Sequence, residues 1–136
     1  MFRYCLHTAG TVSCSFQRQL GMEDGSIEDA QLAVSSRSHG DKAMHARLNK
    51  PQGVDDNGVT SYGAWCPHDN TLDDQWIRVD LGVSTLVAGV IMQGRSYKTN
   101  HPHFVSKYKV QYGNDDVTWQ TVMDDEQENE MVRGIF

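Results

Sequence analysis

The sequence predicts a single all-β domain, an antiparallel sandwich or barrel. The chain has 136 residues, a length that suits one domain around one core. From Gln75 onward, short segments alternate apolar and polar residues, the pattern of strands with one buried face. Glycine, asparagine and aspartate separate these segments, and no helical period persists through any of them.

The N-terminal half is predicted to contain more turns and loops than strands. Residues 1–19 have no clear period, and we interpret them as a leader or linker. Glu23–Gly25 is a turn of the Asp-Gly kind, after which Ser26 and Asp29 are spaced to cap a short helical turn. The alternation of apolar residues at 32 and 34 also fits a short strand. Residues 37–63 are predicted to be long loops around one small apolar cluster, formed by Ala43, Met44, Ala46 and Leu48.

Four strand segments are predicted in the C-terminal half. In the segment 75–82, Ile77, Val79 and Leu81 fall on one face. Residues 85–94 are almost all apolar, which indicates a strand buried on both faces, and the short link Val83–Ser84 favours antiparallel pairing of these two segments. The third segment, 104–113, is followed by a turn at 114–116 and a further strand at 117–123. Its side chains expected inward or at the rim are Phe104, Tyr108, Val110 and Tyr112.

Composition and motifs exclude several classes of function. The formal net charge is -6, whereas a generic nucleic-acid binder is basic, because phosphate neutralisation supplies most of its affinity. No run approaches the roughly 20 apolar residues of a membrane-spanning helix. The motifs of serine hydrolases, zinc proteases and phosphate-binding loops are absent from the sequence. We therefore expect neither nucleic-acid binding nor catalysis.

Six blocks of the sequence, in order, resemble the discoidin domain, also called the coagulation factor V/VIII type C domain. The blocks are LGMEDGSIEDAQLAVSS, ARLN, AWCP, QWIRVDLG, VAGVIMQGR and YKVQYGNDDVTW. The resemblance runs from about Leu20 to Phe136, so residues 20–136 are predicted to form the domain. The GAWCP block, with a cysteine after the tryptophan, is most similar to the same block in discoidin domains of collagen-receptor kinases.

The resemblance implies a jelly-roll β-sandwich of the galactose-binding-like type, part of a larger secreted or membrane-associated extracellular protein. It also implies binding rather than catalysis, through loops at one end of the barrel. Three segments match those loops: loop 1 (Arg37–His45), loop 2 (His68–Asp74) and loop 3 (Arg95–His103). The candidate ligand-binding residues in them are Arg37, His39, Lys42, His68, Asp69, Asn70, Arg95, Tyr97, Lys98, Asn100 and His101.

The loops favour a polar ligand. Only Met44 in loop 1 is a large apolar residue, whereas loops that enter membranes present Trp, Phe or Leu. The leading interpretation is therefore an adhesion module for a protein such as collagen. A carbohydrate-binding, lectin-like module is the alternative, and a module for anionic phospholipid is the third.

The loop segments also contain histidines and aspartates, the residue types that bind metal ions. His101 and His103 flank a proline, which stiffens a loop instead of forming a helix face, so no zinc site is predicted. Calcium accepts carboxylate oxygens, but the sequence has no EF-hand pattern. We expect no cofactor, and the alternative is a calcium ion, which the loop acids would suit. Those acids are Asp55, Asp56, Asp69, Asp73 and Asp74.

The three cysteines and the C-terminus set two further expectations. Cys5, Cys14 and Cys66 include no Cys-x-x-Cys pair. Family domains continue beyond the point equivalent to Phe136, so the resemblance implies that the last strands are missing. It also implies disulfide bonds for Cys14 and Cys66, with partners in the missing part.

Overall fold

The computed structural model describes residues 2–4, 7–8, 11–12, 18–38, 42–54, 58, 60–68, 74–95 and 103–122. Every strand pair in these ranges is antiparallel, and the all-β prediction is confirmed. The described part of the chain contains no helix with the length and apolar character that a bilayer crossing requires. The strands are β1 (Phe2–Tyr4), β2 (His7–Thr8), β3 (Thr11–Val12), β4 (Arg18–Gln19), β5 (Leu32–Val34), β6 (Gly53–Val54), β7 (Thr60–Ser61), β8 (Ile77–Val79), β9 (Val87–Val90), β10 (Gln111–Tyr112) and β11 (Gln120–Thr121).

Two of the described strand pairs, β1-β9 and β5-β8, join segments that are far apart in the sequence. One sheet has the order β4-β1-β9, and β5 pairs with β8 in register Leu32↔Val79 and Val34↔Ile77. Three hairpins complete the described pairs, β2-β3, β6-β7 and β10-β11. The sequence did not predict that residues 2–4 pair with β9. The domain boundary at residue 20 stays a prediction.

The predicted pairing of the segments 75–82 and 85–94 is wrong. β8 pairs with β5, whereas β9 lies in the sheet with β1. Asp80 Oδ1 accepts a hydrogen bond of 2.8 Å from the Gly82 amide, and Gly82 has a positive φ of 71°. This turn leads β9 away from β8 instead of closing a hairpin.

The prediction that 85–94 is buried on both faces is also wrong. The side chains of Leu86 and Val87 are 49% and 37% exposed. Within the described residues, β9 has a neighbour only on its β1 edge. An apolar run alone does not distinguish a strand that is covered on both faces from one with an open face.

The described core surrounds the turn that precedes β5. Met22, Ile27 and Leu32 are buried, and Val79 and Leu81 of the β8 segment pack against them. The predicted Asp-Gly turn is confirmed, because Gly25 has a φ of 82° and its amide donates to the Gly21 carbonyl over 3.1 Å. The β8 segment therefore packs on this turn with Val79 and Leu81, two residues of its predicted apolar face.

Short 3-10 helices, Asp29–Gln31 and Ala43–Ala46, interrupt the described loops. The first begins one residue after Glu28, whose amide donates to Gln31 Oε1 over 2.8 Å. The predicted cap at Ser26 is wrong, because Ser26 lies in the preceding turn, where its amide donates to Asp24 Oδ1. The helical turn and the strand both form, in succession, so the two alternatives for this segment were not exclusive.

The predicted turn at 114–116 is confirmed and connects β10 to β11. Asp115 Oδ1 accepts hydrogen bonds from the amides of Thr118, over 2.5 Å, and Val117, over 2.9 Å. β10 is shorter than the predicted strand 104–113, and Phe104 and Tyr112 are more than half exposed. The turn is thus fixed by one side chain whose charge depends on pH.

We predict that the β10–β11 turn loosens in acid. Hydrogen bonds from the backbone of Thr118, and then of Val117, lower the pKa of Asp115 from its ordinary value of 3.8. A lowered pKa in the folded state means that the stabilising contribution is complete above about pH 3.8 and is lost as the pH falls through the lower folded value. An NMR titration should give a midpoint for Asp115 below 3.8, with the Thr118 amide shift following it. In Asp115→Asn that amide shift should not titrate, and a midpoint at or above 3.8 in the wild type would contradict the prediction.

Candidate functional site

The bases of loops 1 and 2 lie side by side at the end of the β5-β8 pair. After Val34 and Ile77 the ladder continues for one step, because the Ser35 amide donates to the Trp76 carbonyl over 3.0 Å. The residues after Ser35 lead into loop 1, and loop 2 ends shortly before Trp76. Strand pairing therefore brings the bases of the two loops together although the loops are about thirty residues apart in sequence.

The tryptophan–cysteine block provides further contacts between these loop bases. Trp65 Nε1 donates to the Ser36 carbonyl over 2.8 Å, and the Ser38 amide donates to the Cys66 carbonyl over 2.9 Å. Both contacts join the residues before loop 2 to the beginning of loop 1. Trp65 is half-buried, and this hydrogen bond from the indole N–H fixes the position of its otherwise apolar ring.

One glutamine side chain sits between the two loop bases. Gln75 Oε1 accepts hydrogen bonds from Ser35 Oγ at 2.9 Å and from Ser36 Oγ at 2.5 Å. Each hydroxyl oxygen in turn accepts a backbone amide: Ser35 Oγ accepts that of Trp76 at 3.0 Å, and Ser36 Oγ accepts that of His68 at 3.1 Å. These five residues form what we call the Gln75 network.

Loop 3 is closed at its base and attached to the segment before Trp65. The Arg95 amide donates to the His103 carbonyl over 2.9 Å, which brings the two ends of the loop together. The guanidinium of Arg95 lies over the Tyr62 ring, 4.4 Å from its centroid, in a cation–π contact. Arg95 therefore attaches the base of loop 3 to the β7–Trp65 segment, a role that the sequence did not predict.

The structure describes four of the residues predicted to bind a ligand. Arg37 and His68 are exposed at the bases of loops 1 and 2, whereas Lys42 and Arg95 are partly buried. The Lys42 amide donates to Nδ1 of His45, the last residue of loop 1, which is fully buried. The remaining predicted positions lie outside the described residues: His39, Asp69, Asn70, Tyr97, Lys98, Asn100 and His101.

Arg37 stands beside an open depression of about 370 Å³. Its wall is β5 and the two serines of the Gln75 network, and Ala43 of loop 1 lies on its other side. The hydroxyls of both serines already donate to Gln75 Oε1, so the group that the depression offers to a carboxylate or a carbonyl is the Arg37 guanidinium.

The predicted disulfides and metal ligands are only partly within the described residues. Cys66 is half-buried and forms no disulfide within the part of the chain that the structure describes, and Cys14 lies outside it, so both bridges stay predictions. Among the described residues, no three His, Cys, Asp or Glu side chains are grouped closely enough to hold a metal ion. Of the acids considered for calcium, only Asp74 is described; Asp55, Asp56, Asp69 and Asp73 are not.

Antiparallel strand pairs, with the bases of loops 1 and 2 meeting at the end of β5 and β8, define an all-β domain. The family model of the F5/8 type C domain matches residues 31–134, more than half of the chain. The chain therefore belongs to the F5/8 type C, or discoidin, domain family, and the resemblance seen in its six blocks is confirmed. A discoidin domain is a β-sandwich, so the predicted fold class is confirmed as well.

Curated proteins with similar sequences agree with this assignment. Neuropilin-1 of Mus musculus is 34% identical over 108 residues, 78% of this chain and 11% of that protein. Neuropilin-1a of Danio rerio is 34% identical over 110 residues, 77% of this chain and 10% of that protein. EGF-like repeat and discoidin I-like domain-containing protein 3 of Homo sapiens is 31% identical over 134 residues, 96% of this chain and 27% of that protein.

The chain thus spans about a tenth of the neuropilins and about a quarter of the EGF-repeat protein. No solved structure gives a significant match. Discoidin domains are non-enzymatic binding modules, and they occur in extracellular or cell-surface proteins. The loops that extend from these bases are therefore the candidate ligand-binding surface.

Proposed function

We propose that this chain is the extracellular adhesion module of a larger protein and binds a protein ligand of the collagen kind through loops 1, 2 and 3. The observation that carries the proposal is the joining of the loop bases. Ser36, Trp65 and Gln75 connect loops 1 and 2, and the contact between Arg95 and Tyr62 attaches loop 3 to the same segment. A rigid base presents several loops as one surface and lowers the entropy lost on binding.

Charge and an exposed tyrosine favour a protein over an anionic membrane. The net charge of -6 repels an anionic lipid surface. Tyr62 adjoins the base of loop 3 and is 37% exposed. Tyrosine and arginine are among the side chains that most often anchor protein interfaces. Arg37, at the base of loop 1, is an exposed arginine of this kind.

The experiment is binding of the purified protein to immobilised fibrillar collagen I. Saturable binding at micromolar concentration or below supports the proposal. A glycan array and liposomes with and without phosphatidylserine provide the two competing results. Saturable binding to a glycan or to anionic liposomes, with none to collagen, would assign the loops to that other ligand.

We predict that Arg37→Ala weakens collagen binding about tenfold, the loss of roughly 1.4 kcal/mol, because an exposed guanidinium at the base of loop 1 forms paired hydrogen bonds to carbonyls and carboxylates. The dissociation constant is measured by surface plasmon resonance. Lys107→Ala removes a similar exposed charge outside the three loops and should leave the constant unchanged. Equal losses in the two variants would mean that Arg37 contributes only net charge.

A further inference from the structure

We propose that Gln75 is a positioning residue that fixes the base of loop 2 relative to the base of loop 1, an inference that rests on the proposed binding function of these loops. The β5-β8 ladder ends where Ser35 meets Trp76, so strand pairing does not fix the residues beyond it. His68, at the start of loop 2, reaches loop 1 through Ser36 Oγ. The orientation of that hydroxyl depends on Gln75.

The Gln75 network has a definite direction of hydrogen bonding. A serine hydroxyl has one hydrogen to donate. In both serines that hydrogen points to Gln75 Oε1, which leaves the lone pairs of the hydroxyl oxygens for the amides of Trp76 and His68. The glutamine oxygen is thus the common acceptor for hydroxyls that lead to both loops.

Loss of this acceptor affects the two loop contacts together. Ser35 and Ser36 are partly buried, and without Gln75 Oε1 each must turn its hydrogen towards another acceptor. Each rotation takes the oxygen lone pair away from its amide donor. Hydrogen bonds in such a network strengthen one another, so both amide contacts weaken at once.

Contacts outside the network provide an internal reference. The hydrogen bonds from Ser38 to Cys66 and from Trp65 to Ser36 use backbone carbonyls as acceptors and do not involve Gln75. The strand pairs at Ala33 and Arg78 are likewise independent of it. A positioning role therefore predicts a local change at His68 and Trp76 and no change in the ladder or at Ser38.

The test measures amide hydrogen exchange by NMR in the wild type and in Gln75→Met, which keeps the side-chain length without the acceptor. We expect the amides of His68 and Trp76 to exchange about tenfold faster, while that of Ser38 keeps its rate. Gln75→Glu retains an oxygen that accepts both hydroxyls and should restore wild-type exchange. Gln93→Met is the matched control, because Gln93 forms its hydrogen bonds with Asn49, outside the three loops.

Collagen I binding is measured on the same four proteins. Gln75→Met should weaken binding about fivefold, and Gln75→Glu and Gln93→Met should leave it unchanged. Unchanged exchange at His68 and Trp76 in Gln75→Met overturns the inference, as does faster exchange throughout β5 and β8, which indicates a general stabilising role. Faster local exchange with unchanged binding overturns the positioning role in recognition. If the wild type does not bind collagen but the local exchange pattern appears, the coupling of the loops is supported and only the collagen ligand is rejected.

Discussion

Arg47→Met is expected to lower the free energy of unfolding by about 3 kcal/mol, because it removes several charge-assisted hydrogen bonds from a buried side chain. The Arg47 side chain is only 10% exposed and pairs with Asp29 Oδ1 over 2.5 Å. Its Nη2 also donates to the Ile27 carbonyl over 2.7 Å, and its Nη1 to the Met22 carbonyl over 3.3 Å. One guanidinium thus holds the turn that carries the described core.

Methionine fills much of the arginine volume but leaves both carbonyls without these donors. Asp29 is half exposed and regains water, so the main loss comes from the carbonyls of Met22 and Ile27. Urea denaturation gives the difference in unfolding free energy. Arg47→Lys keeps the charge but not the planar fork, and we expect it to recover only part of the loss.

Arg78→Met is the matched control for this experiment. Arg78 also pairs with an aspartate, Asp116, at 2.8 Å, but both side chains are substantially exposed. Solvent screens such a pair, and its removal should lower stability by about 0.5 kcal/mol. If Arg47→Met and Arg78→Met have equal effects, burial of Arg47 does not provide the stability that the structure implies.

The sequence predicts those parts of the fold that depend on neighbouring residues. The Asp24-Gly25 turn and the Asp115 turn were predicted from their residue types, because each is closed by a side chain or a positive φ within a few positions. The partner of β8 was not predicted. Leu32 of β5 lies far from Val79 in the sequence, and periodicity defines the face of a strand but not its neighbour.

The same distinction applies to the site. The loops and the exposed position of Arg37 could be anticipated from the blocks around them. Gln75 was missed, since it reads as one polar residue before a strand and its partners are some forty residues away. Arg95 was predicted to contact ligand, and its stacking on Tyr62 depends on a fold that the sequence alone does not give.

Gly63→Ala is expected to lower the free energy of unfolding by about 3 kcal/mol, the sum of backbone strain and close contact. Gly63 has a φ of 70°, a backbone conformation that residues with a Cβ rarely adopt. A Cβ at this position would lie 2.6 Å from the Lys50 carbonyl oxygen and 3.0 Å from the Gln52 amide nitrogen. Both neighbours are backbone atoms, so neither can move aside without shifting the chain before β6.

Gly58→Ala separates the two causes, because Gly58 has a similar φ of 76° with nothing within 4 Å of the added Cβ. It should lose only about 1 kcal/mol, the cost of the left-handed backbone. The excess loss in Gly63→Ala, measured by urea denaturation, then reports the close approach alone. Gly63 lies between Tyr62, which stacks on Arg95, and Trp65, which donates to Ser36, so a shift there moves the attachments of loop 3 and of loop 1 together. Equal losses in the two variants would mean that the chain relaxes around the methyl group and that the loop bases tolerate movement.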